Sequence, residues 1–322
     1  MSDVPFPKST YGKTVVTAAH YRAGRVQFPF SRRGGGFMSG YLELTKPRIT
    51  VFILMSTAIG FLCGLHNSGG WTVWTLVHAL AGTGLIASGT AALNMWYERE
   101  ADAKMNRTKA RPIPSGRIQP GRAFLFGVFL SVAGFAELWA GANLLTGLLG
   151  LFTMLSYLCV YTPLKQRSPH STTIGAIPGA MPPLIGYAAA CGKLTTEAWI
   201  LYAILFLWQF PHFYAIAWMY REDYERAGIR MLPVVEPDGE STARRILLFS
   251  LVLIPISLVP KFIAMAGNLY LFGALALGLM FLYAGARVAS DRTRLRARGV
   301  LLASVVYLPL LYGLLVLDHP WL

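Results

Sequence analysis

Apolar residues run along this chain in nine stretches, at 49–65, 74–96, 123–140, 144–161, 173–190, 198–218, 246–264, 269–286 and 300–317. Each is long enough to cross a bilayer as an α-helix, which takes about 17–25 residues. Lipid offers no partner to an unpaired backbone group, so the expected fold is all-α: a polytopic membrane protein with nine transmembrane helices. Most connections are short, but the segments 97–122 and 219–245 are long and charged. Four spans separate them, so both emerge on one membrane face. The layout suggests two four-helix halves plus a ninth helix, with the two loops converging over a central cavity. The fifth stretch breaks the rhythm in another way. Residues 174–186 include Gly175, Pro178, Gly179, Pro182, Pro183 and Gly186, which cannot form a straight, uniformly bonded helix. Such a segment must be buried in protein or face a wet cavity. Gly175 and Gly179 also form a small-xxx-small pair that permits close approach of a neighbour.

Composition agrees: 54% of residues are hydrophobic and only 14% are charged, against about 25% charged in soluble chains. The net charge of +14 would suit nucleic acid, but its placement argues for a membrane instead. With a cytoplasmic N-terminus, only Lys193 and Lys261 of the 29 Lys and Arg fall on the outer side, a strong positive-inside signal. No nucleic-acid partner is expected. Residues 1–40 read as a flexible basic cytoplasmic tail attracted to anionic lipid, and 41–322 as one intramembrane domain. The expected location is a bacterial cytoplasmic (inner) membrane. A mitochondrial inner membrane is the alternative, because the tail is poor in acids and holds several arginines. Cys63, Cys159 and Cys191 are isolated and show neither zinc nor disulfide spacing.

The chemistry concentrates where the second stretch runs out. Asn94, Glu98 and Asp102 recur every four residues. On a helix they share an arc of roughly 80° and climb about 12 Å, forming a stripe of oxygen donors. Lys104, Arg107, Lys109, Arg111 and Arg117 follow. Oxygen ligands hold magnesium and guanidinium groups clamp phosphate, so the pattern suits a magnesium-bound diphosphate. A second cluster begins in the sixth stretch with Gln209, Pro211 and His212 and continues through Arg221, Glu222, Asp223, Glu225 and Arg226. Glu222 and Asp223 add hard oxygen ligands and Arg221 a phosphate fork. Two acidic sites around one diphosphate make a two-magnesium clamp that favours carbon–oxygen cleavage. Singly, Glu100, Glu222, Glu225 and Arg226 read better as solvated juxtamembrane charges. Lys165 and Arg167, after the fourth stretch, read as diphosphate ligands or as ordinary membrane anchors. His212 lies inside an apolar span, where an ionisable group is expensive. It could be a metal or haem-iron ligand, a base, a donor to an acceptor substrate, or a neutral histidine bonded to a neighbouring helix.

The run from Asn94 through Pro112, with Tyr161-Thr162-Pro163-Leu164-Lys165, the 174–186 segment, and Trp208–Phe213 leading into Arg221-Glu222-Asp223-Tyr224 and Met231-Leu232-Pro233, resembles the UbiA-type intramembrane prenyltransferases. The version here is similar to their haem-farnesylating branch, and the likeness covers roughly 41–317. The resemblance implies that farnesyl diphosphate loses diphosphate with magnesium help, two ions being expected. The vinyl group of haem B then takes the farnesyl group, water adds, and haem O results. By position, Asn94, Glu98 and Asp102 would bind the first metal, with Asp223, or its neighbour Glu222, binding the second. Arg107, Arg111 and Lys165 would hold diphosphate, and His212 would face the haem. Membrane lipid, haem B and farnesyl diphosphate are the implied partners, with haem A synthase or oxidase assembly factors downstream. Relatives acting on quinone precursors carry several spaced aspartates where this chain has adjacent Glu222 and Asp223. Three other readings compete: prenylation of a quinone precursor, a transporter with broken helices, and a non-catalytic haem carrier. The last two leave the Asn94, Glu98 and Asp102 stripe with little purpose.

Overall fold

The structure is a computed structural model and describes residues 37–68, 70 and 72–320. Most of the basic N-terminal tail therefore lies outside the described residues. The first helix, α1 (Phe37–Leu44), starts before the boundary at 41 that the sequence suggested. The other helices are α2 (Pro47–Gly64), α3 (Val73–Tyr97), α4 (Arg99–Lys104), α5 (Pro120–Gly141), α6 (Leu144–Leu155), α7 (Thr162–Leu164), α8 (Ser171–Gly179), α9 (Pro182–Cys191), α10 (Thr196–Met219), α11 (Arg221–Arg226), α12 (Leu232–Val235), α13 (Glu240–Phe262), α14 (Asn268–Ser290) and α15 (Arg294–Leu317). Among the described residues there is no strand, and nine helical segments are long and apolar enough to cross a membrane.

Helix–helix packing explains how the bundle closes. Lipid tails are as apolar as leucine, so helices in a bilayer associate through close van der Waals contact rather than water exclusion. Here α2 crosses α9 with backbones touching. A Cβ on Gly60 would meet the Cα of Pro183 at 2.8 Å, and one on Gly186 would meet the amide nitrogen of Phe61 at 2.8 Å. The α3–α5 crossing uses the same device, since a Cβ on Gly89 would lie 2.7 Å from the carbonyl of Gly127. On the other side α10 packs against α13 and α15, α14 packs between those two, and α15 reaches back to α2. At the ends of α2, α9 and α10, Asn67 Nδ2 donates to Tyr187 OH and to Glu197 Oε2, both at 2.7 Å, and Tyr187 donates to Glu197.

The fifth span is broken as its prolines and glycines require. It runs as α8 and α9 with Ala180 and Met181 between them. It is also the most enclosed: 72% of an 18-residue stretch of it is buried, against 17% of the corresponding stretch in the fourth span. A broken helix thus sits inside the protein, where its freed carbonyls find partners. Gln209 Nε2 donates to the carbonyl of Ala176 at 3.2 Å, and the bare Gly179 leaves room for the Gln209 side chain. The two long loops converge as the layout suggested. Asn106 and Arg107 in the first donate their amides to Asp223 in the second, and Ala101 and Met105 pack with Tyr224, Ile229 and Met231.

Replacing Gly186 by alanine should push α2 and α9 apart and cost about 1–3 kcal/mol, as overpacking does. Gly313→Ala, which meets no atom within 4 Å, is the control. Thermal melting in detergent should show a lowered midpoint for the first and none for the second. Equal midpoints would contradict the close crossing.

Candidate active site

A cavity of about 580 Å³ lies between α2, α3, α8–α10 and α15. Its walls are largely apolar, with Ile53, Ile86, Leu138 and Leu205 among them. Its mouth is polar and forms where α3 passes into α4. Helix α3 ends at Tyr97, yet Glu98 N donates to Asn94 O at 2.9 Å and Asp102 N donates to Glu98 O at 2.8 Å. The four-residue spacing therefore continues across the junction. Asn94, Glu98 and Asp102 all line the cavity, and all three are buried.

Each member of the stripe is held by a cation. Lys46 Nζ donates to Asn94 Oδ1 at 3.0 Å, and Asn94 Nδ2 donates to Thr162 Oγ1 at 3.3 Å. Lys165 Nζ lies 2.8 Å from Glu98 Oε1. Arg111 Nη1 is 2.8 and 2.7 Å from the two oxygens of Asp102. Burial alone would raise the pKa of Glu98, but the adjacent Lys165, with Lys46 and Arg111, holds it below its ordinary value. Burial would lower the pKa of Lys165, and Glu98 reverses this and lifts it well above its ordinary value. Lys46 is different: burial, then the charge of Arg111, brings it down to about 7. It also occupies the left-handed backbone region (φ 48°) immediately before Pro47, a conformation that costs a non-glycine residue roughly 1–2 kcal/mol. Strain of this kind is concentrated at functional sites.

A π-helical turn, Ser156–Tyr161, carries the chain from α6 into α7. Such turns are frequent at functional sites. This one puts Tyr157 and Tyr161 on the cavity wall with ring centroids 5.0 Å apart. Tyr161 also lies against Gly175, where a Cβ would come 2.5 Å from its ring. Lys165 follows, with its ammonium 5.4 Å from the Tyr161 ring.

The second acidic cluster is built differently. Asp223 does not line the cavity. Its carboxylate accepts the amides of Asn106 (3.2 Å) and Arg107 (3.3 Å) and pairs with Arg226. Burial would raise its pKa, but Arg226 and the two amides lower it on balance. Asp223 thus clamps the loop that delivers Arg107, and Arg107 does reach the cavity, donating to Tyr224 OH at 3.2 Å. Glu222 is exposed and Arg221 lies over the Trp218 ring; neither lines the cavity. His212, deeper on α10, does line it. The structure therefore brings Asn94, Glu98, Asp102, Arg107, Arg111, Lys165 and His212 to one cavity and leaves Arg221, Glu222 and Asp223 behind its rim. Sequence reasoning missed Lys46 and Tyr157, and gave Tyr161 and Thr162 no role beyond their place in a motif. A lysine at the start of a span reads as a membrane anchor, and only its Lys-Pro step hinted at unusual backbone.

The model of the UbiA prenyltransferase family matches residues 53–313. This chain belongs to that family. It is 63% identical to a protoheme IX farnesyltransferase from Solibacter usitatus, over 88% of this chain and 100% of that one. It is 48% identical to a protoheme IX farnesyltransferase from Koribacter versatilis, over 87% and 93%. Among solved UbiA-type structures, a digeranylgeranylglyceryl phosphate synthase superposes with a TM-score of 0.74 at 17% identity, over 89% of this chain and 99% of that one. A UbiA homologue from Archaeoglobus fulgidus bound to GPP and Mg2+ superposes with a TM-score of 0.61 at 17% identity, over 86% and 99%. These structures establish the UbiA fold.

The depressed Lys46 generates a pH dependence with a definite sign. An anion at the mouth favours its charged form, which is lost as pH rises through about 7. Calorimetric affinity for diphosphate with magnesium should therefore fall between about pH 6 and pH 8.5, by at most about tenfold per unit above 7. Lys46→Arg, which stays charged, should lose that part of the dependence. Identical profiles for the two proteins would remove Lys46 from the anion site.

Proposed function

We propose that this chain transfers a farnesyl group from farnesyl diphosphate to the vinyl group of haem B, with addition of water, giving haem O and diphosphate. The observation that carries the reaction class is the rim of paired carboxylates and cations over an apolar cavity. The acceptor and the chain length rest on the relatives' name. Both substrates are amphipathic: one is an apolar tail with a diphosphate, the other a flat apolar ring with carboxylates. Each can bury its apolar part below a charged mouth.

The donor set fits magnesium. Among the described residues no three His, Cys, Asp or Glu side chains converge as a metal site. Magnesium is ordinarily held by one or two carboxylates, waters and substrate phosphates. Asn94, Glu98 and Asp102 would hold it, and a second ion would draw on Asp223 once that carboxylate releases Arg226. Bound magnesium neutralises the charge that develops on the leaving diphosphate. Lys46, Arg107, Arg111 and Lys165 would hold the phosphates, which would leave Glu98 and Asp102, the partners of Lys165 and Arg111, free to hold the metal. The bond between farnesyl C1 and the diphosphate oxygen breaks as the terminal vinyl carbon bonds to C1. Water then adds at the carbon next to the porphyrin ring, and its proton leaves to the diphosphate or to solvent. The apolar walls keep other water from the farnesyl cation. The basic face would be cytoplasmic, with the chain in the inner membrane, and the product would pass to haem A synthase or to oxidase assembly factors.

Mass spectrometry of detergent-purified protein with haem B, farnesyl diphosphate and magnesium should show haem B heavier by one farnesyl group and one water, and EDTA should abolish it. Asp102→Asn should lower turnover about 10²-fold or more. Folded protein that binds both substrates yet forms no such product would overturn the assignment, and aromatic quinone precursors would be the next acceptors to supply.

A further inference from the structure

His212 is the lone histidine among the residues lining the cavity, and no cysteine lines it. Its Nδ1 lies 2.7 Å from Ser304 Oγ on α15. That hydroxyl has one proton, and it donates it to the carbonyl of Leu301 at 2.7 Å. The bond to His212 must then be donated by the ring, which fixes the tautomer with the proton on Nδ1. Nε2 keeps its lone pair, and among the described residues no group hydrogen-bonds to it. The ring is held in place as well. Trp208 stacks on it with centroids 4.8 Å apart and an interplanar angle of 23°, and Trp208 Nε1 donates to the carbonyl of Ser304 at 2.9 Å.

A histidine that donates one ring N–H to a fixed acceptor, presents the other nitrogen bare and is braced against rotation has the arrangement of a metal-ligating imidazole. The depth is also informative. His212 precedes the end of α10 at Met219 by seven residues, or about 10 Å along the helix, whereas Glu98 and Asp102 follow the end of α3 at Tyr97. An imidazole nitrogen suits iron, whereas carboxylates suit magnesium. Resting on the proposed function, we infer that His212 Nε2 is an axial ligand to the iron of the haem acceptor, and that Ser304 is the positioning residue that sets its tautomer. Coordination forms one iron–nitrogen bond and moves no electron or proton. It would fix which edge of the porphyrin meets the farnesyl group.

The test is spectroscopic. Full-length protein is titrated with haem B in detergent and followed by visible absorption and electron paramagnetic resonance. Wild type should give an imidazole-ligated iron spectrum. His212→Gly should lose it, and added free imidazole should restore it. Ser304→Ala should keep the histidine but weaken haem affinity about tenfold. Should His212→Gly fail to fold, His212→Met, which fills similar space with a thioether, should replace the imidazole signature by a different one. A wild-type spectrum in either His212 variant would overturn the inference while leaving haem O formation intact. A His212 variant that keeps the spectrum but forms farnesylated haem without the added water would also overturn it, and would make the residue a base. Wild type that binds no haem would overturn the acceptor assignment itself.

Discussion

Two buried ion pairs, Glu98 with Lys165 and Asp102 with Arg111, are the constraint on which the rest of the structure depends. A carboxylate removed from water is costly unless a cation and further hydrogen bonds accompany it. Asp102 is fully buried and Glu98 nearly so, so their partners must arrive from elsewhere in the chain. Lys165 comes from the end of the fourth span and Arg111 from the loop after α4. The π-helical turn, the tyrosines beneath Lys165 and the Asp223 clamp on the 104–111 loop all serve to deliver those cations. In the proposed reaction the same pairs separate. The cations would turn to phosphate, which would leave Glu98 and Asp102 to hold the metal.

Below the mouth the requirement reverses, and the chain excludes water. The fifth span achieves this with small residues. Gly175 admits the Tyr161 ring, Gly179 admits Gln209, and Gly186 lets α9 lie directly against α2. Proline and glycine that would break a lipid-facing helix are tolerated because this span is enclosed by protein. The broken helix is thus a consequence of building a cavity wall at membrane depth.

Much of this was legible in the sequence, for physical reasons. Nine spans follow from bilayer thickness, and one oxygen-donor stripe follows from four-residue spacing. The convergence of two loops follows from their shared membrane face. The placement of the second acidic cluster was not legible. Glu222 and Asp223 are adjacent, so a helix must send them in different directions. Which one turns inward, and whether it reaches the cavity or only the neighbouring loop, depends on tertiary contacts with Asn106 and Arg107. Lys46 was hidden for a similar reason, because its left-handed backbone redirects a residue that pattern alone assigns to the membrane surface. The role of Ser304 required knowing that α15 packs beside α10, some ninety residues away in sequence.

In the proposed reaction the mouth exchanges cation partners for metal only when diphosphate arrives. The direct measurement is the affinity for manganese or magnesium with and without a non-cleavable farnesyl thiodiphosphate, corrected for metal the analogue binds in solution. Exchange requires the two ligands to favour each other reciprocally, by about tenfold or more. A metal affinity that is already tight without the analogue, and unchanged by it, would rule out that exchange.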